Sequence, residues 1–209
     1  MIFYDAELAP SPRRARMLIA EKDLVIETVQ VSLREGEQFD PWFKAINPAC
    51  TVPALKLDNG TVLTENGAIA VYLEASHPEP PLLGTTPLEK AVITNWNERC
   101  VLEGFGAVAE SFRNFSRGFR NRSVTGQQSH PQIPELVERG RARAALFFDE
   151  LDTQLQESDH LAGPDFTMAD ITALCLVDFA KWIKLEVGDQ RPGLRRWYEM
   201  VSERPSAKL

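Results

Sequence analysis

The sequence predicts a small α/β domain followed by an all-helical one. Three observations carry this expectation. Over the first 76 residues, short β-rich runs alternate with helical patterns, the signature of βαβ units. His77-Pro78-Glu79-Pro80-Pro81, continuing to Pro87, is a stiff stretch suited to a domain boundary. Beyond it apolar residues recur only at helical spacing. The predicted division is therefore residues 1–77, a linker at 78–87, and a helical domain at 88–209.

In order, Ile2–Tyr4 reads as a strand that begins at once, and Pro12–Lys22 as a helix with proline in its first turn, where a missing N–H is harmless. Val25–Val31 is the next strand and Phe39–Ala45 a short helix. Ala54–Leu57 and Thr61–Leu63 form a hairpin around Asp58-Asn59-Gly60, a strong turn signal. Asn66–Ala75 closes the unit as a helix. In the second half, Leu88, Val92, Trp96, Leu102, Phe105, Val108, Phe112 and Phe115 keep helical spacing until the polar stretch Asn121 to Gln132. Val137, Ala144, Phe147, Phe148, Leu151 and Leu155 mark another helix. Thr167-Met168-Ala169-Asp170 fits a capping box with Asp at its fourth position. The run Ile171 to Ile183 is apolar on nearly every side, so this helix is expected at the centre of its domain, with Asp170 a structural residue.

Composition narrows the function classes. The 209 residues are 44% hydrophobic and 25% charged, ordinary for a globular protein, and the net charge of −7 argues against a nucleic-acid binder. No run of 18 apolar residues suggests a membrane span, and the first residues do not read as a secretory signal. Cys50, Cys100 and Cys175 lack CxxC spacing, and His77, His130 and His160 share no helical spacing, so neither a disulfide framework nor a metal site is expected. A reducing, cytoplasmic location fits this cysteine usage. Arginines cluster at 13, 14 and 16 and again at 139, 141 and 143. Each cluster reads first as a solvated helix face. The earlier one opens a helix, where the dipole disfavours cations, and is suited to tuning an anionic site.

Val52–Pro53 is the most informative pair. Proline at the entry to Val52-Pro53-Ala54-Leu55-Lys56-Leu57 belongs at a strand's first position or on an edge. In the cis form, such a bond would turn the N–H and C=O of Val52 outward, ready to pair with an extended peptide. Glu65 and Asn66 follow the next short strand, at a helix start that offers free N–H groups to a carboxylate. Together these parts make a cleft for a small peptide with an acidic end.

Met1-Ile2-Phe3-Tyr4, Ala9-Pro10-Ser11-Pro12-Arg13-Arg14-Ala15-Arg16, Phe43-Lys44-Ala45-Ile46-Asn47-Pro48, Val52-Pro53-Ala54-Leu55 and Leu63-Thr64-Glu65-Asn66-Gly67-Ala68-Ile69, in this order, resemble the thioredoxin-like half of the cytosolic glutathione transferases. Phe166-Thr167-Met168-Ala169-Asp170-Ile171 and Leu194-Arg195-Arg196-Trp197-Tyr198 are similar to segments of the family's helical half. The resemblance implies a thioredoxin-like N-terminal domain, an all-α C-terminal domain, a two-fold dimer, and glutathione as co-substrate with no metal. It also implies an activity: the glutathione thiolate is favoured and delivered to a small electrophile.

By the same resemblance, Ser11 stands where the thiolate-stabilising group belongs, in the column of the bacterial class whose members use cysteine there. Ala9 occupies the position used by several other classes, and Tyr4 is a weaker candidate that should point into the sheet. Ser11 as a simple helix cap is the plainer reading. Val52 with Pro53 is assigned to backbone pairing, Glu65 to the γ-glutamyl amino group and Asn66 to its carboxylate, although serine is usual at the last position. Arg34, Gln38 and Lys44 are open for the glycine carboxylate, and Cys50 replaces a common glycine. Trp96, Arg99, Glu103, Phe112 and Arg113 are candidates for the electrophile pocket. The rival readings are a glutathione-dependent disulfide reductase or isomerase and a non-catalytic adaptor resembling the stringent-starvation regulators.

Overall fold

The computed structural model describes residues 1–209. The chain forms two compact units: 1–80 with 125–128 and 209, and 81–124 with 129–208.

The first unit holds a four-stranded sheet in the order β2-β1-β3-β4, from β1 (Ile2–Asp5), β2 (Glu27–Gln30), β3 (Ala54–Lys56) and β4 (Val62–Leu63). β1 and β2 run parallel, from Ile2 opposite Glu27 to Asp5 opposite Gln30. β3 is antiparallel to both β1 and β4. β2 is shorter than the predicted Val25–Val31 because β1 offers only four rungs. Val25 is left exposed, while Val31 is buried and bonds its N–H to Asp5 O at 2.7 Å. Helix α1 (Pro10–Glu21) starts two residues earlier than expected, with Pro10 in its first turn. The predicted Phe39–Ala45 helix splits into a 3-10 turn at Glu37–Phe39 and α2 (Pro41–Lys44). Pro41 explains the break: a residue before proline is pushed out of the helical region, and Asp40 is extended (φ −70°, ψ 150°).

Helix α3 (Asn66–Ser76) completes the unit. Tyr4, Val31, Phe43 and Ala54 form a buried cluster under the sheet. The Lys22 ammonium is fully buried, pairs with Glu74 at 2.7 Å and donates to the carbonyls of His77 and Pro80 at 2.7 and 2.9 Å. This ties the end of the unit to α1.

The second unit is helical. α4 (Pro87–Arg99) opens on a capping box between Thr86 and Glu89. It continues through a π-helical segment, Cys100–Phe105, into α5 (Gly106–Phe115). Gly104 lies so close to Leu176 that an added Cβ would overlap it. α6 (Glu135–Glu157), α7 (Met168–Ala180) and α8 (Pro192–Ser202) follow. Every residue of α7 except Asp178 is buried, as expected for a central helix. Asp170 receives hydrogen bonds from Thr167 N and Oγ1 and Leu161 N, each at 3.0 Å, and from Trp197 Nε1 at 2.9 Å. Burial pushes its carboxyl above the ordinary range, and these bonds pull it back.

Candidate functional site

Ser11 lies within α1, one residue past Pro10, and Ala9 takes the N-cap position. The serine makes no capping bond. Its Oγ instead accepts from Asn66 Nδ2 at 3.1 Å and from Arg14 Nη2 at 3.2 Å. A side chain 55 positions away thus meets Ser11 because the start of α3 packs against the start of α1. Asn66 is 5% exposed, and its Oδ1 has no hydrogen-bond partner. Glu65 takes the N-cap position of α3, is exposed and makes no side-chain cap bond. The first helical bond at this end is Ile69 N to Glu65 O, at 3.0 Å. The N–H groups of Asn66, Gly67 and Ala68 therefore lack acceptors within the helix.

The Val52–Pro53 bond is cis. Val52 lies half-buried before β3, and Pro53 and Ala54 are buried. The preceding loop is held by Asn47, whose Nδ2 donates to Thr51 O at 2.7 Å and whose Oδ1 accepts from Ala49 N at 3.0 Å. Cys50 is buried with φ +58°, its Sγ 3.7 Å from Pro48 O. Gln127, in the short segment grouped with this unit, donates to the same carbonyl. Tyr4 is buried against Trp42 and Phe43, as expected of a residue facing the core. Of the three residues left open for the glycine carboxylate, Arg34 and Lys44 are exposed, whereas Gln38 is buried with an unpartnered Oε1.

The electrophile candidates fall into two groups. Arg99 stacks over the Trp96 ring at 4.8 Å, bonds Glu103 at 2.9 Å and pairs with Glu150. Phe112 lies 13 residues on, about 20 Å along the helix. Its ring packs edge-on against Phe115, Phe119, Phe179 and Trp182. Arg113 donates to the carbonyls of Arg122, Ser123 and Val124 and covers the Phe119 ring at 4.4 Å. Its burial, with Arg122 adding, lowers the guanidinium pKa to about 10. Arg113 thus shapes the polar stretch that ends the long helix. Sequence reading put a solvated face first for Arg13, Arg14 and Arg16, with tuning of an anionic site as the second reading. It did not single out Arg14, which is 8% exposed and turned toward Ser11. The i, i+3 spacing of the two residues was the available signal.

A thioredoxin-like unit chained to a helical bundle, with this polar cluster at the meeting of α1 and α3, is a glutathione transferase architecture. Comparison with known proteins agrees. The glutathione S-transferase N-terminal domain model matches residues 9–76, and the C-terminal domain model matches residues 128–205. Glutathione S-transferase 2 of Saccharomyces cerevisiae is 38% identical over 100% of this chain and 88% of its own length. The crystal structure of Gtt2 from Saccharomyces cerevisiae superposes with a TM-score of 0.89 at 37% identity, covering 100% of this chain and 99% of that one. A glutathione S-transferase domain-containing protein from Marinobacter aquaeolei superposes at 0.90 with 34% identity, covering 99% and 100%. The chain belongs to the glutathione S-transferase family.

Proposed function

We propose that the chain binds glutathione on the first unit, holds its sulfur as the thiolate at Ser11, and promotes attack on a small electrophile. One observation carries this reading: the uncapped start of α3 meets Ser11 through Asn66, whose buried Oδ1 lacks a partner. The free N–H groups of α3, that of Asn66 included, suit the γ-glutamyl carboxylate expected at Asn66. The exposed Glu65 carboxylate suits the γ-glutamyl ammonium, to which the Asn66 side chain adds Oδ1 because its Nδ2 is given to Ser11. Val52 supplies backbone pairing beside Pro53, and Arg34, Gln38 and Lys44 stay open for the glycine carboxylate, to which Gln38 can donate only from Nε2, not from its unpartnered Oε1. In this division of labour 1–77 binds glutathione, 78–87 links, and 88–209 supplies contacts to the electrophile, with Trp96, Arg99 and Glu103 one cluster and the Phe112 aromatic group the other. No helix is long and apolar enough to cross a membrane. A cytoplasmic two-fold dimer completes the reading, and sedimentation near twice the 23.5 kDa chain mass is expected.

A thiol of pKa about 8.5 is only about 3% ionised at pH 7, and lowering its pKa by about two units gains roughly 25-fold in thiolate. Nucleophilicity falls along with the pKa, so ionisation alone gives a few-fold gain and positioning of the electrophile supplies the rest. Ser11 cannot form a mixed disulfide, which favours transfer over disulfide reduction.

The test is Ser11→Ala, assayed against a panel of halide, epoxide, enone and disulfide substrates. Turnover should fall a few-fold at neutral pH, the loss of thiolate being partly offset by the higher nucleophilicity of the less acidic thiol, and the deficit should shrink at high pH as the bound thiol ionises unaided. Glutathione affinity should be nearly unchanged. Since Ser11 makes no capping bond, the melting temperature should move little. An unmoved pH–rate profile would remove Ser11 from the chemistry.

A further inference from the structure

The first turn of α1 is poor in the groups that a helix terminus normally offers an anion. Pro10 and Pro12 have no N–H, so among the first three helical residues only Ser11 can donate from the backbone. An anion at this terminus therefore depends on side chains. Arg14, one turn along, is turned back toward this end, its Nη2 3.2 Å from Ser11 Oγ.

A hydroxyl has one hydrogen and two acceptor lone pairs. At Ser11 both lone pairs are taken, by Arg14 Nη2 and Asn66 Nδ2, and the hydroxyl makes no donation within the chain. Its rotation is thereby restricted, and its hydrogen is left for an external acceptor. A donor that is itself bonded by a guanidinium is also a stronger donor, because hydrogen bonds in a chain polarise one another.

We propose that Arg14 is a positioning residue for thiolate formation: with Asn66 it saturates Ser11 Oγ and so directs the one hydroxyl hydrogen at the bound sulfur. This rests on the assignment of Ser11 above. In the step itself the S–H bond breaks, the proton leaves to solvent, and the electron pair stays on sulfur, where it accepts from Ser11 Oγ.

The other ionisable groups on α1 and the elements packed against it fit this role for Arg14. Asp5 of β1 is held by Arg16 at 2.8 Å, and Glu74 of α3 by Lys22 at 2.7 Å. Burial pushes the Tyr4 hydroxyl pKa up, Tyr72 is the other ionisable residue of α3, and Glu21 lies about 15 Å further along the helix from Ser11. Arg13 lies two positions along from Ser11, on a different face of α1. Glu65, preceding α3, brings the opposing negative charge and is committed in this reading to the γ-glutamyl ammonium.

The experiment titrates the thiolate absorbance of bound glutathione against pH in the full chain, for wild type, Ser11→Ala, Arg14→Met and the double variant. In the wild-type background Arg14→Met should raise the apparent pKa of the bound thiol by about one unit, roughly a threefold loss of thiolate at neutral pH. In the Ser11→Ala background it should change the thiolate fraction less than twofold. Arg14→Lys, which keeps a cationic donor, should recover part of the loss. Equal shifts in both backgrounds would mean that Arg14 acts as a distant charge and would overturn the proposal, as would no shift in either. An unshifted Ser11→Ala titration identifies failure of the Ser11 assignment itself, independently of Arg14. If Arg14→Met does not fold, Arg14→Gln, a neutral donor of similar reach, carries the same comparison.

Discussion

Asp170 and Ser11 each sit where two helices meet, and their hydrogen bonds are arranged in opposite ways. Around Asp170 four donors converge on two oxygens, and the carboxyl is fully buried. Around Ser11 the polar groups are incompletely used: Asn66 Oδ1 has no partner, the hydroxyl hydrogen is unassigned, and the N–H groups at the start of α3 are uncapped. A buried polar group left without a partner costs about 1–3 kcal/mol, so a fold keeps one only where something else compensates. The Asp170 cluster is complete within the chain, whereas the Ser11 cluster keeps polar groups open to a ligand, as the proposed function requires.

The largest expected effect lies on the saturated side. Asp170→Ala would leave Trp197 Nε1, Leu161 N and Thr167 N without their acceptor inside the second unit. A loss of about 3–5 kcal/mol follows, read as a lower urea midpoint. Asp170→Asn keeps an acceptor oxygen and should lose less. If Asp170→Ala lost under about 1 kcal/mol, the contrast drawn here between the two clusters would collapse.

On the unsaturated side, Glu65→Gln should weaken glutathione binding by about 1.5–3 kcal/mol, the range for a hydrogen bond to a charged group. The urea midpoint should hardly move, because the side chain is exposed and caps nothing. Calorimetry showing an unchanged dissociation constant would take Glu65 out of the site. A fall in stability instead would place it with Asp170.

How much of this was legible follows from the range of the interactions. Alternating strands and helices, the Asp58-Asn59-Gly60 turn and the Thr167–Asp170 pairing are local, so spacing and residue type sufficed. Thr167 and Leu161 donate to Asp170 from nearby in the chain, but the Trp197 donor comes from 27 residues away and no local pattern announces it. The cluster at Ser11 was half legible. Asn66 was visible as a helix start, but its bond to Ser11 spans 55 residues. Arg14 was hidden by its neighbours, since Arg13, Arg14 and Arg16 look alike as a charged run while the fold gives them different partners. Arg16 serves Asp5 and Arg14 serves Ser11. Arg113 shows the reverse: suited by type to a polar pocket, it is spent on three carbonyls of a loop whose path the sequence did not fix. The π-helical segment was invisible because apolar residues on either side keep nearly helical spacing through it.

The smallest effect sharpens the comparison at a third polar cluster, saturated but on the surface. The Glu89 carboxylate accepts from Thr85 N and Oγ1, both at 2.8 Å, and from Thr86 N at 3.1 Å, and Glu89 N donates to Thr86 Oγ1 at 3.2 Å. The backbone donors of Thr85 and Thr86 lead in holding its pKa down, from 4.5 to about 2. The folded pKa lies below the unfolded one, so the unfolded chain binds the proton more readily. The stabilisation is therefore fully present above about pH 4.5 and is lost as the pH falls through about 2. Glu89→Gln cannot offer that charge at any pH. The stability gap between wild type and this variant should be widest above pH 4.5 and close toward pH 2, measured by urea unfolding across that window. Because the cluster is exposed, added salt should also narrow the gap, whereas the cost of Asp170→Ala should hardly respond. A gap independent of both pH and salt would show that the Glu89 side chain contributes through packing, and the capping box would not be acting through its charge.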